Sequence, residues 1–279
     1  MRDSEIVASI VAGDQAGLAE AYDRYAGGLF GYCRSLLPEP ADAADAVHDT
    51  FVIAAVSLHQ LRDPDRLRPW LYAVARNLCL RKLRADKAAA PYPPPGEAEA
   101  GEDSDAGDDA QRAELRALLR AAAGGLNKRE REVIELRLWA GLDTDEAAAT
   151  LGVSRGYAHS LLSRARTHLV ESVGVLVVAR TGRADCAVLD GLLQGWDGQL
   201  TVASRKSLGR HIRRCDVCSD RRQREVQPAL LSLWPAGALA AVVSAEQARH
   251  AAAVPAGLKD RVLNGAAAQR PGAAGRPRS

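Results

Sequence analysis

The sequence predicts an all-α protein. Three observations carry this expectation: alanine is abundant while aromatic residues make up only 4%, β-branched alternation is scarce, and apolar residues recur at three- and four-residue steps over long stretches. The chain has 279 residues, enough for two or three small helical domains rather than one large core.

Net charge is only +2, but charge is sorted along the chain. Arg62 to Lys87 holds eight basic residues against three acidic ones, and Arg205 to Arg224 holds eight against two. Gly96 to Asp109 holds seven acidic residues and no basic one. Such sorting implies different partners for different segments. The N-terminus "MRDSEIVASIVAGDQ" lacks the apolar core of a secretory signal. The most apolar late segment, Ala229 to Val243, is short for a membrane span and contains Pro235 and Gly237. A cytoplasmic, reducing location without a membrane partner is the expectation. There, a close cysteine pair is metal-binding or redox-active more often than a structural disulfide.

The first helical segment, "LAEAYDRYAGGLFGYCRSLL", places Leu18, Tyr22, Tyr25, Leu29, Tyr32 and Leu36 on one stripe. "PEPAD" interrupts it, and Asp42 is positioned to cap a second helix running to about Leu61. Asp42, Asp45 and Asp49, at i, i+3 and i+7, share a face of that helix, which reads as solvated. "RDPDRLRP" is a turn, and a third helix follows from Trp70 with a basic C-terminal end suited to the helix dipole. Basic residues beside Trp70 and Tyr72 fit contact with single-stranded DNA by phosphate pairing and stacking, unless the rings belong to the core. The Pro-, Gly- and acid-rich stretch that follows cannot bury apolar area and reads as a flexible linker.

Helical periodicity returns from Gln111 to about Val173. Asn127 and Glu130 form a capping-box pair at the start of "LNKREREVIELRLWAG". "LDTDEAAATLGVSRGYAHSLLSRARTHLVE" reads as helix, tight turn at Gly152, helix, with Asp143 or Thr144 capping the first and Ser154 the second. Ala147, Ala148 and Leu151 are expected to face Val153, Ala158 and Leu162. This is a helix-turn-helix pattern. Its second helix would bring Ser154, Arg155, Tyr157, Ala158 and His159 to base edges, and Ser160, Arg164 and Arg166 to phosphates.

Behind it, "RHIRRCDVCSDRR" sets His211, Cys215 and Cys218 within reach of one another on a helical turn and its end. Zinc takes four tetrahedral ligands from thiolate and imidazole, and Cys186 supplies a fourth, with Asp190 and His250 as alternatives. A metal-free redox pair and a chance cluster on a basic helix are the competing readings. Cys33 and Cys79 fall inside apolar helices and are expected to be buried. The tail after Val226 is rich in Pro, Ala and Gly, with one modest helix at "GLKDRVLNGA" and a disordered end.

"YDRYAGGLFGYCRSLL", "DAADAVHDTF" and "RLRPWLYAVARNLCLRKLR" resemble conserved region 2 of the extracytoplasmic-function (ECF) group of bacterial RNA polymerase sigma factors. "LNKREREVIELRLWAGLDTDEAAATLGVSRGYAHSLLSRARTHL" resembles region 4 of the same group, so that the likeness covers about Asp14 to Ser172. It implies two small helical domains, region 2 over 1–86 and region 4 over 111–175, joined by a flexible linker at 87–110. Such a chain is not an enzyme. It directs core RNA polymerase, through the β′ coiled coil and β flap, to promoter DNA and initiates transcription. Asp42, Asp45, His48 and Asp49 become polymerase contacts. Arg66, Arg68, Trp70, Arg76 and Asn77 become contacts to a melted −10 element, whose base must leave the stack to be read. Region 4 would read the −35 element as duplex. Where the family usually carries Lys and Arg on the recognition helix, this chain has His159 and Leu161, and Tyr157 replaces a usual Thr. A divergent −35 preference or a weaker phosphate grip is expected.

The pattern C-x24-H-x3-C-x2-C over Cys186, His211, Cys215 and Cys218 resembles the zinc-binding anti-sigma domain, a small helical bundle. It implies a Zn2+ domain at 176–226, followed by the tail at 227–279, which would regulate the sigma regions by intramolecular contact. Arg213 and Arg214 would face the acidic stripe, and a separate anti-sigma protein is a further candidate partner. The alternative is a stand-alone helix-turn-helix regulator with a zinc or redox-sensing domain.

Overall fold

A computed structural model describes residues 1–89, 117–138, 140–233 and 253–269. The expected linker and the disordered chain end lie largely outside these residues, as does His250. Among the described residues the elements are helices without a strand, as the composition predicts. None of the helices is long and apolar enough to cross a membrane. They fall into two compact units, one drawn from Met1–Glu99, Glu135–Arg155 and Ser244–Ser279, the other from Ala100–Ile134 and Gly156–Val243.

The first unit begins with α1 (Asp3–Val11) and α2 (Gln15–Leu36), joined where the Asp14 carboxylate accepts from the Ala16 N–H at 2.9 Å. The predicted stripe of α2 is buried from Leu18 to Tyr32, while Leu36 is half-buried. Helix α3 (Pro40–Ser57) starts two residues before Asp42, because Pro40 occupies a first-turn position where its missing N–H and fixed φ cost nothing. Asp42 is therefore a first-turn acid rather than a cap. Its burying face carries Ala43, Ala44, Val47, Phe51 and Ala54, and Tyr22 meets Phe51 at a ring-centroid distance of 5.2 Å. Helix α4 (Leu67–Ala89) begins three residues before Trp70, directly after a short 3-10 turn in which Asp63 accepts from the Asp65 N–H. Tyr72 is buried and stacks edge-on to Tyr32 at 5.5 Å.

Two later segments join this unit. Helix α7 (Thr144–Leu151) is started by a full capping box between Asp143 and Glu146 and ended at Gly152, whose φ of 65° lies in the left-handed region. It rests on α4, where Thr150 donates to the Pro69 carbonyl and Arg68 reaches Glu146. The tail helix, α12 (Leu258–Ala268), packs on α2 and α3.

The second unit contains α5 (117–123), most of α6 (Lys128–Leu138), α8 (Arg155–Thr181), α9 (Ala187–Leu192), α10 (Val202–Arg214) and α11 (Asp216–Leu233). Asn127 and Glu130 make both reciprocal capping bonds, at 3.0 and 3.1 Å, and His168 of α8 sits 2.8 Å from buried Glu130. Helix α8 runs 27 residues without a break and crosses the expected domain boundary at 175/176. Its C-terminal half, through Val175, Val178 and Ala179, enters the core that also contains Cys186, Leu189, Leu208, Ile212 and Cys218. Arg205 of α10 is 3% exposed; it donates to the Gly125 carbonyl at 2.9 Å and to the Glu171 carboxylate of α8 at 2.5 Å.

Candidate functional site

The second unit brings Cys186, His211, Cys215 and Cys218 together, with their ligand atoms all within 4.8 Å of one another. Cys186 Sγ lies 3.4 Å from His211 Nε2 and 3.9 Å from Cys215 Sγ, and Cys218 Sγ lies 3.4 Å from His211 Nε2. A tetrahedral ion bonded at about 2.3 Å to sulfur and about 2.0 Å to imidazole sets ligand separations of roughly 3.5–3.8 Å. The cluster fits such an ion, and three thiols with one imidazole form a soft donor set of the kind zinc accepts.

Local structure explains the convergence. Cys186 is the N-cap of α9, and its sulfur accepts from the Leu189 N–H at 3.4 Å. His211, Cys215 and Cys218 do not lie on one continuous helix. Cys215 takes an extended conformation (φ −103°, ψ 118°) that breaks α10 from α11, so the two helices approach the site from different directions. The Cys218 N–H donates to the Cys215 sulfur and, with further N–H and thiol donors, holds that thiol below its ordinary range. Burial pushes the Cys218 thiol up to about 12. A bound dication offsets that penalty, because metal ligation requires thiolate. Asp190 is paired with Arg183 at 2.9 Å. Cys33 and Cys79 are both fully buried, and their mutual hydrogen bond together with burial holds the Cys33 thiol well above its usual range.

Ser154, just before α8, and Arg155, Tyr157, His159, Ser160, Arg164 and Arg166 on it are exposed. Ala158 is fully buried and faces the core, because it falls on the helix side carrying Leu161, Leu162 and Ala165; it is not available to a base edge. Arg155, His159 and Arg166 lie within about 40° of one another around the helix axis. The Arg155 guanidinium is 2.6 Å from the Asp145 carboxylate.

On α4, Trp70 and Arg76 are half-buried and Asn77 is exposed, while Arg66, before the helix, is exposed and paired with Asp63 at 3.3 Å. Arg68 is committed elsewhere: it donates to the Ala140 carbonyl at 2.8 Å and to Glu146 at 3.3 Å, tying α4 to α7. The sequence reading also missed two cations. Arg81 and Arg84 are exposed and share a helix face with Trp70 and Asn77, a signal present in the seven- and four-residue steps from Trp70.

On α3, Asp42 is paired with Lys82 at 3.1 Å, Asp45 with Arg261 of α12 at 3.6 Å, and Asp49 with His48 at 3.3 Å. The cation on Asp45 therefore comes from the tail helix. Arg213 is instead paired with Glu171 at 2.5 Å.

A two-part helical chain with a helix-turn-helix and an aromatic–basic helix face is the architecture of a sigma-70-type transcription initiation factor. Comparison with known families agrees: residues 21–89 match sigma-70 region 2, and residues 116–169 match sigma-70 region 4. The chain is 32% identical over 176 residues to the RNA polymerase sigma factor CnrH of Cupriavidus metallidurans, covering 60% of this chain and 92% of that protein. It is 29% identical over 174 residues to the ECF RNA polymerase sigma factor SigM of Mycobacterium tuberculosis, covering 62% of this chain and 86% of that one. A solved structure of CnrH in complex with the cytosolic domain of CnrY is similar at 29% identity and a TM-score of 0.46, over 61% of this chain and 95% of that one. The chain belongs to the ECF-type RNA polymerase sigma factors, initiation factors that act with core RNA polymerase on promoter DNA.

Proposed function

We propose that this sigma factor is regulated in cis by its C-terminal part, which is built around a Zn2+ ion held by Cys186, His211, Cys215 and Cys218. The observation that carries the reading is the convergence of those four donors within 4.8 Å, in a core shared with the C-terminal half of the helix that begins at Arg155. The ion supplies structural cross-linking: it ties α9, α10 and α11 at one point, and Val175, Val178 and Ala179 of α8 pack on the same core. Region 4 reads the −35 element through exposed Ser154, Arg155, Tyr157 and His159, with Ser160, Arg164 and Arg166 on phosphates. Region 2 engages the melted −10 element with Trp70, Asn77, Arg66 and Arg76, and core polymerase through the face of α3 bearing Asp42, Asp45, His48 and Asp49.

The test is metal analysis of the full chain together with run-off transcription by core polymerase. One zinc per chain is expected. Substituting Cys215 and Cys218 by Ser is expected to remove the metal and raise promoter-dependent run-off. A chain that takes up no zinc, or a zinc-free variant that transcribes like the parent, overturns cis-regulation through this site.

A further inference from the structure

The tail helix α12 was expected only as a modest helix in a Pro- and Ala-rich tail, yet it is fitted to the first unit. Leu258, Val262 and Ala266, at i, i+4 and i+8, are 0%, 0% and 2% exposed. Gly265 sits against α3, where an added Cβ would lie 3.0 Å from His48 Nε2 and 3.4 Å from Val52 Cγ2. Polar contacts surround this apolar seam. Lys259 Nζ lies 2.6 and 2.7 Å from the Asp23 carboxylate oxygens, and the Arg261 guanidinium is 3.6 Å from Asp45. Gln15 donates to the Leu263 carbonyl at 3.2 Å, and His48 Nε2 is 3.3 Å from the Arg261 carbonyl.

The geometry therefore assigns α12 to the same strip of α3, including Asp45 and His48, that the functional reading gives to core RNA polymerase. We propose that the helix Leu258–Ala268 is a tethered occupant of the polymerase-docking face, and that core polymerase binds only when this helix is displaced. The proposal rests on the sigma-factor docking reading above and adds the element that regulates it. The helix sets Lys259 on Asp23 and Arg261 on Asp45, so any partner that takes this face in its place must compete for the same carboxylates. Its tether raises its effective concentration to about the millimolar range, which lets a small interface compete. The competition lowers apparent polymerase affinity by the fraction of chains with the face open. The zinc site, by contrast, lies in the other unit.

The experiment measures binding of the labelled full chain to core RNA polymerase by fluorescence anisotropy. The parent is compared with Val262→Asp and with the double variant Lys259→Glu/Arg261→Glu. These changes lie on α12 and leave every residue of α3 intact. A face covered in about 90% or more of the chains predicts at least ~10-fold tighter binding by both variants. Equal affinity for parent and variants, with binding retained, overturns the proposal and leaves the docking reading standing. Failure of parent and variants alike to bind core overturns both. Hydrogen exchange provides a readout independent of the substitutions: amides of 258–268 should be protected in the free parent and lose protection when core is saturating. Protection that persists in the complex also overturns the proposal.

Discussion

Glu171 accepts from two arginines at the same distance, and this makes Arg205 a test of what burial does to an ion pair. The Arg205 and Arg213 guanidinium groups both lie 2.5 Å from its carboxylate, but the Arg205 side chain is 4% exposed and that of Arg213 is 55% exposed. Replacing Arg205 by Met keeps most of the stem's apolar packing and removes the charge. The Gly125 carbonyl then loses its donor, at about 1–3 kcal/mol for an orphaned buried group. The Glu171 carboxylate loses a buried partner, but it is 23% exposed and retains Arg213, so its penalty falls below the ~3–5 kcal/mol of a fully buried broken pair. Together these give a loss of about 3 kcal/mol. Arg213→Met removes a bond of the same length to the same carboxylate at the surface, and should cost about 0–1 kcal/mol. Urea unfolding of the full chain, followed by circular dichroism, measures both. Arg205→Lys should fall between them, since it keeps the charge and loses the fork that serves two acceptors at once. If Arg205→Met and Arg213→Met unfold at the same urea concentration, burial is not what gives Arg205 its weight, and the account of how α10 is bolted to α8 is wrong.

Tyr25 donates to Asp3 at 2.6 Å, and burial with that neighbouring carboxylate pushes its phenol up to about 12. The fold favours the neutral phenol, so this contribution is complete below the ordinary value near 10 and is lost as pH rises towards 12; Tyr25→Phe should flatten stability between those limits in alkaline thermal melts. Gly152 ends α7 at a φ of 65° with open space around its Cα, so Gly152→Ala should destabilise by about 1 kcal/mol through backbone strain without a clash, and Gly152→Asn by less. Releasing Arg155 from its 2.6 Å pair by Asp145→Asn should tighten promoter DNA binding, whereas Arg164→Ala should weaken it evenly across sequences and reduce the salt slope by about one, both read by titration at several salt concentrations. Chelation should unfold the segment 187–214 first, seen as lost amide protection, because the core around Cys186, Ile212 and Cys218 is small without its cross-link.

The helices themselves were legible because their signals are local. The stripe from Leu18 to Leu36, the capping pair Asn127/Glu130, the choice of Asp143 or Thr144 as the cap of α7 and the turn at Gly152 each act within a few residues; the structure buries the stripe as far as Tyr32, makes the Asn127/Glu130 bonds, selects Asp143 as the cap and turns at Gly152. The four metal-ligand candidates were legible by spacing and donor type. The break at Cys215 that turns two helices towards one point was not, because it depends on the ψ angle of a single residue. Ala158 was given two roles, packing in the helix-turn-helix and contact with a base edge, and its full burial keeps only the first: a position next to contact residues in sequence can lie on the opposite side of the helix.

What the sequence determined alone is the all-helical class, the order of the sigma regions and the Cys/His set that converges as a candidate metal site, since periodicity, capping and motif spacing are properties of neighbouring residues. Which distant segments meet was decided only in three dimensions. Arg68 looked like a DNA contact and ties α4 to α7, Arg205 looked like one cation among many and is buried between Gly125 and Glu171, and the tail helix covers Asp45 and His48. The pairings span from 34 residues of chain, for Arg205 and Glu171, to 213, for His48 and Arg261, and rest on complementary shape and charge between surfaces that no local pattern encodes.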